Sequence, residues 1–262
     1  MVGRSFFVNL LTVVGGALLL MRLSSTAMAQ DDRNAPRVGT PCAVVELFTS
    51  EGCSSCPPAD AVLADMVVNA RKSAAPVFPL AFHVDYWNQL GWTDRFSDPA
   101  YSRRQSDYAH ARQVDEVYTP QMIVNGTTQF VGSDRDAAKR ALDSALAKPA
   151  QAKITAKVVT TNAGPYRVSY AVVGANQHAI INIAVVERGL KTPVRAGENG
   201  GQVLRHENVV RWFRNVKISV DGKDQIEIPR LDNVNFANAS VIVYAQEPGN
   251  GPVLGATAAD FP

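Results

Sequence analysis

The sequence predicts an α/β domain followed by an all-β, sandwich-like domain. Residues 41–149 alternate short apolar runs with helical patterns at 3.6 spacing. Residues 150–262 hold only short Val- and Ile-rich runs between Gly, Asn, Asp and Pro turns. The length suits two ordinary domains, since one takes roughly 100–200 residues.

The first residues read as a targeting segment. Arg4 is the only charge before the apolar stretch from Phe6 to Met21, and Arg22 and small residues ending in Ala27-Met28-Ala29 follow. That order predicts a signal peptide over 1–29, cleaved after Ala29. A retained anchor is the alternative, but the uncharged run from Ser5 to Met21 falls just short of the roughly 18–20 residues of a spanning helix. A periplasmic or secreted protein is expected, with no stable membrane insertion after cleavage. Cleavage removes Arg4 and Arg22 and no acid, leaving 24 basic against 24 acidic residues. With no basic run or stripe, nucleic acid is not expected as a partner.

Residues 30–40 form a polar, flexible tail with Pro36 and Gly39. Residues 43–48 (AVVELF) predict a first strand. Pro57 and Pro58 then open a helix with Leu63, Met66, Val67 and Ala70 on one face. Pro76 breaks the chain, and residues 77–84 predict a second buried strand, although Pro79 weakens it. Residues 85–118 are an insert. Asp98-Pro99 starts a helix within it, acid as cap and proline first, running to Gln113. Two strands flank Asn125-Gly126, a strong hairpin signal. Ser133-Asp134 caps a helix carrying Ala138, Ala141, Leu142 and Ala145 on one face, and Pro149 ends it. The order β-α-β-(helical insert)-β-β-α is that of a thioredoxin-like domain. Beyond it, segments 151–160, 166–173, 179–187, 202–219, 224–230 and 239–246 predict the strands of a β-sandwich. There is no internal repeat and no low-complexity segment.

The chemistry concentrates at Cys53-Ser54-Ser55-Cys56, between the first strand and its helix. Two thiols at this spacing suit a disulfide that forms and breaks, a static bridge, or a soft-metal site. In the redox reading Cys53 is the nucleophile, favoured as thiolate by a helix N-terminus, and Cys56 is the resolving thiol. Pro57 and Pro58 can delay the helix and weaken that effect. Cys42 is a buried free thiol or a third redox partner. Thr119-Pro120, just before a strand, matches a proline that faces such a pair through a cis bond; a trans loop proline is the alternative. Glu46 is either a buried proton relay for Cys56 or an ordinary hydrogen-bonded glutamate. His83, Asp85, Tyr86, Trp87 and Trp92 cluster after the second strand. His83 could stabilise a thiolate or ligate a metal, or be a satisfied loop histidine. The aromatics line a groove or seal the insert, and Tyr101 and Tyr108 read as packing. In the β-rich half, Arg195 to Arg211 is the densest polar segment. It is expected to fold back over the Cys53 turn, where His206 and Arg205 or Arg211 would stabilise a thiolate or gate access. A solvated loop is the alternative.

Four motifs carry a family resemblance: ELFTSEGCSSCPPAD, AFHVDYWNQLGW, VYTPQMIVNG and RAGENGGQVLRHENVVR, spanning residues 46 to 211. Together they resemble the exported, thioredoxin-like family known as domain of unknown function 1223. The resemblance implies a thioredoxin-like domain with a β-rich C-terminal part, and supplies no activity. The chain departs from ordinary thioredoxins in having Gly52 where they carry tryptophan, and Ser-Ser between the thiols. Substrate and redox poise therefore do not carry over.

The expected function is thiol–disulfide exchange by Cys53 and Cys56, with Glu46 and Pro120 completing the catalytic set. Thr119, His83, Trp87, His206 and Arg211 are the expected substrate-binding residues. No cofactor is expected. The partners are protein thiols or disulfides of exported clients and a further redox partner. A copper-binding protein using both thiolates, with His83 or Met122 recruited, and a non-enzymatic binding module with a structural disulfide stay open.

Overall fold

In the computed structural model, residues 1–3, 38–114, 116–160 and 165–262 are described. The signal-peptide reading of 1–29, and most of the tail at 30–40, fall outside them. No helix among the described residues is long and apolar enough to cross a membrane.

The first strand, β1 (Ala43–Thr49), is buried along its whole length. It leads through the Cys53–Cys56 turn into α1 (Pro57–Ser73), which has proline in its first turn and ends at Ala74 in the left-handed region (φ 52°). β2 (Val77–His83) lies parallel to β1, with Leu47 beside Ala81 and Thr49 beside His83. The insert contains α2 (Pro99–Ala111), capped as expected by Asp98, whose carboxylate accepts the Ala100 N–H. β3 (Gln121–Val124) and β4 (Thr128–Val131) form the expected hairpin, with Asn125 and Gly126 at positive φ. Asp134 caps α3 (Arg135–Leu146).

The strands that follow are β5 (Lys153–Val159), β6 (Arg167–Val173), β7 (Ile180–Glu187), β8 (Leu190–Pro193), β9 (Val203–His206), β10 (Val209–Lys217), β11 (Lys223–Glu227), β12 (Ala239–Gln246) and β13 (Val253–Asp260). They correct the expectation of a separate all-β domain beginning at residue 150. Four of them extend the first half's sheet into one of eight strands, in the order β13-β12-β7-β10-β2-β1-β3-β4. The join is the parallel pairing of Val209 with Ala81. It is reinforced by the Ala81 N–H donating to the Asn208 carbonyl and the Asn208 side chain donating to the Pro79 carbonyl. The physical reason is edge satisfaction. β2 is buried, and a buried strand edge needs a backbone partner. The described residues from 38 to 262 accordingly belong to one compact unit.

Strand parity then sorts the core. Ala43, Val45 and Leu47 face α1 and α3. Further along the same face, Ile181, Ile183, Val241 and Val243 pack against the small sheet β11-β6-β5, so the sandwich-like packing exists locally. Val44, Phe48, Phe82, Ala184 and Ile242 form the opposite face, covered by Tyr101 and Tyr108 of α2. Among the described residues β8 and β9 pair only with each other, as a separate hairpin.

Candidate active site

Parity puts Thr49 and His83 on the α1 face, at the carboxyl ends of two parallel strands, where crevices form in α/β sheets. The chain leaves β1 through Ser50, Glu51 and Gly52. The Cys53 N–H donates to the Ser50 carbonyl, and the Cys56 N–H to the Cys53 carbonyl. Cys53 and Cys56 form a disulfide, with Cα atoms 5.4 Å apart. Cys56 is the N-cap of α1, and its carbonyl accepts the N–H groups of Ala59 and Asp60. The prolines therefore begin the helix after Cys56, and Cys53 sits a turn outside it. This weakens the expected dipole effect at Cys53. Both cysteines are buried, at 0% exposure, while Ser54 and Ser55 are exposed.

The surroundings of Cys53 come from three segments. The Ser55 hydroxyl lies 3.3 Å from its sulfur. The Thr119 carbonyl faces that sulfur at 4.0 Å, and the Thr119-Pro120 bond is cis. The Trp87 indole N–H donates to the Thr119 hydroxyl at 2.8 Å. Trp87 also closes over Gly52, where an added Cβ would come within 3.2 Å of the Trp87 Cβ. Trp87 of the insert thus packs its Cβ and backbone against Gly52, the position that is tryptophan in ordinary thioredoxins.

Beneath the pair lies a buried group of three acids and two histidines. Asp60, one helix turn beyond Cys56, accepts from the Thr49 hydroxyl at 2.8 Å. His83 Nδ1 pairs with Asp94 at 2.7 Å, and Asp94 also accepts the N–H groups of Glu51 and Phe96. Glu51 is held by the Trp92 indole N–H at 2.9 Å and faces His206 Nε2 at 3.2 Å. The His83 and His206 rings meet edge-on, 5.0 Å between centroids, with Phe96 against both. Burial raises the Asp60 carboxyl above its ordinary value, although His206, His83 and the Thr49 hydroxyl oppose this. Burial works against ionisation of His83, but the facing Asp94 outweighs it and the imidazole is raised. Burial likewise opposes ionisation of Asp94, yet His83 and the two N–H donors hold it low. His83 Nε2 and His206 Nδ1 have no hydrogen-bond partner among the described residues.

The polar segment of the second half does fold over the cysteine turn. Between β8 and β9, the Asn199 side-chain amide donates to the carbonyls of Glu51 (2.9 Å) and Cys53 (3.0 Å). Glu198 accepts the Ser54 N–H at 2.9 Å. Two of the expected cations do not join in. Arg205 is exposed on the hairpin, and Arg211 is paired with Glu187 and lies over the Phe96 ring.

Glu46 is the main correction. It lies three residues before Thr49, so parity turns it to the opposite face, away from α1 and Cys56. There it makes a bidentate pair with Arg104, both bonds 2.7 Å, and accepts the hydroxyls of Tyr108 and Tyr244. Asp60 is the acid near Cys56. Its position four residues after Cys56 on one helix was the available signal. Glu51, Asp94 and Asn199 carried no local signal, because loops 88–98 and 194–202 meet only in the folded sheet. Cys42 is a buried free thiol, pushed up by burial to about 11. Asp85 is bonded to Ser102 and Tyr86 to Gln105, and Tyr101 and Tyr108 pack the core as expected. Met122 is sequestered in the core under α1. No group of three or more His, Cys, Asp and Glu among the described residues is placed to hold a metal ion.

Comparisons with known proteins agree with this architecture. The crystal structure of a protein from Agrobacterium tumefaciens, solved by a structural genomics consortium, is similar over 86% of this chain and 96% of that one. The pair share 25% identity, with a TM-score of 0.62. HBP35 of Porphyromonas gingivalis is similar over 86% of this chain and 77% of its own, at 17% identity and a TM-score of 0.64, a likeness of fold alone. No curated protein matches the chain. The family model described as "Protein of unknown function (DUF1223)" matches residues 44–246, and the chain belongs to that family.

Proposed function

We propose that this chain is an exported thiol–disulfide oxidoreductase, working on client protein thiols or disulfides from a thioredoxin-like arrangement of β1, α1, β2, β3, β4 and α3. The observation that carries the reading is the position of the Cys53–Cys56 disulfide. It joins a strand to a helix, faces the Thr119 carbonyl, and sits above buried titratable groups. A bridge that only pins a turn has no need of buried ionisable groups, which are costly to keep.

The exchange runs as follows when the client is oxidised. A client thiolate attacks the Cys53 sulfur, the Cys53–Cys56 bond breaks, and Cys56 leaves as a thiolate that takes up a proton. A second client thiol loses its proton and attacks the client sulfur of the mixed disulfide, releasing reduced Cys53. The client loses two electrons and the pair gains them. The reverse sequence reduces a client disulfide, with Cys53 attacking and Cys56 resolving. Asp60, with His83 and His206 against it, is the buried group that can hold the Cys56 proton. A further redox partner returns the pair to its starting state.

The complete burial of both sulfurs favours one rival, a structural disulfide in a binding module. Trapping separates the two. Cys56→Ser should accumulate mixed disulfides with exported clients, and Cys53→Ser should not. If neither variant forms them, the oxidoreductase reading fails.

A further inference from the structure

We infer that the tip of the β8–β9 hairpin, residues 195–201, is a lid over the disulfide, latched by the single buried side chain of Asn199. The inference rests on the oxidoreductase reading and adds how access to the pair is controlled. Cys53 and Cys56 are both fully buried, so no thiol reaches the Cys53 sulfur from solvent in this conformation. Something must move first, and the tip is built for that. Arg195, Ala196, Gly197, Glu198, Gly200 and Gly201 are all exposed; Asn199 alone is buried, at 1%. An exposed segment with one buried residue holds itself down by little else.

The latch bonds are few and specific. Both N–H groups of the Asn199 amide go to the cysteine turn, one to the Glu51 carbonyl and one to the Cys53 carbonyl. Glu198 adds its bond from the Ser54 N–H. On opening, water or a client backbone can replace all three, so the net cost is small. The tip also holds its own shape. Gly201 donates to the Val194 carbonyl, Val194 to Gln202, and Gln202 to Asn199, so it can lift as a unit hinged on the buried Val194. Gly201 (φ +86°) has open space around it, as a hinge requires. Gly197 (φ +73°) seats the closed tip: a Cβ added at Gly91 would lie 3.5 Å from the Gly197 Cα, and the bare Gly197 leaves room for the Trp92 side chain.

The test measures how fast the oxidised, full-length protein is reduced by dithiothreitol and by glutathione, read by thiol trapping. In the unaltered chain the rate should level off as reductant concentration rises, because opening becomes limiting. Asn199→Ala should accelerate reduction about tenfold or more, reflecting two lost hydrogen bonds. Gly197→Ala should do the same by a different route, since a Cβ there is strained and lies 3.1 Å from the Trp92 Cβ. Circular dichroism checks that both variants fold. If the unaltered pair is reduced and both folded variants are reduced at the same rate, the lid is overturned and the oxidoreductase reading stands. If the unaltered pair resists reduction but the variants accept it, the lid is supported. If all three resist, both ideas fall.

Discussion

Replacing Arg104 tests the folded framework that positions the site. Arg104 and Glu46 are 6% and 2% exposed at their side chains, and two 2.7 Å bonds join them. Arg104 also donates to Tyr108, Tyr244 and Gln246, and thereby ties α2 to both β1 and β12. Arg104→Met removes the cation and leaves the Glu46 carboxylate among apolar rings with only tyrosine donors. Removing one partner of a buried pair costs about 3–5 kcal/mol, against at most about 1 kcal/mol for an exposed pair. For a chain of this size that lowers Tm by about 6–20 °C. Adding Glu46→Gln should recover much of the loss, because no unpaired charge then remains. The assay is urea unfolding followed by tryptophan fluorescence and circular dichroism. Because the sheet is continuous through Val209 and Ala81, both probes should report one transition in every variant. A cost under about 1 kcal/mol, or two separated transitions in the unaltered chain, would refute the reasoning.

Other predictions concern the site itself. His83 is held above its ordinary 6.5, so its contribution to stability is complete below that pH and is lost as the pH rises through its folded value. Asp94 is held below its ordinary 3.8, so its contribution is present above that pH and is lost as the pH falls through its folded value. The pair therefore stabilises most between about pH 4 and 6.5, and His83→Gln should flatten the alkaline fall in urea midpoints; an unchanged fall counts against the pairing. Cys42, pushed up to about 11, should stay unmodified by iodoacetamide at pH 8 in the native protein, and rapid labelling would show that it is not sequestered. Gly52→Val should push Trp87 off Thr119 and change tryptophan fluorescence without unfolding the sheet; an unchanged spectrum would contradict that contact.

Local patterning carried the first half of the fold well. The strand before Cys53, the proline-led helix, the Asp98 and Asp134 caps and the Asn125-Gly126 turn each depend on residues within a few positions. The second half depends on distant pairing. β13 (VLGATAAD) is too poor in large apolar residues to announce a strand, and is held by its ladder to β12. The single Val209–Ala81 pair that merges the halves has no local signature. The same distinction runs through the site. Cys53, Cys56, Thr119 and Pro120 could be found by spacing, and the return of the Arg195–Arg211 segment by its polarity. Glu46 is close to Cys56 in sequence, but strand parity excludes the relay and leaves the alternative of a hydrogen-bonded glutamate, held by Arg104, Tyr108 and Tyr244. Asp60, Glu51, Asp94 and Asn199 acquire their places only when β1, β2 and the β8–β9 hairpin converge.

The central claim is that Cys53 and Cys56 exchange electrons in the folded protein. Its most direct test is thiol trapping of the full chain equilibrated across a series of dithiothreitol and glutathione buffers, with folding followed in parallel. The account predicts one reversible two-electron transition confined to Cys53 and Cys56, with Cys42 unlabelled and the fold intact on both sides. A pair that stays oxidised at every poise until the protein unfolds would contradict it and leave the disulfide a structural bridge.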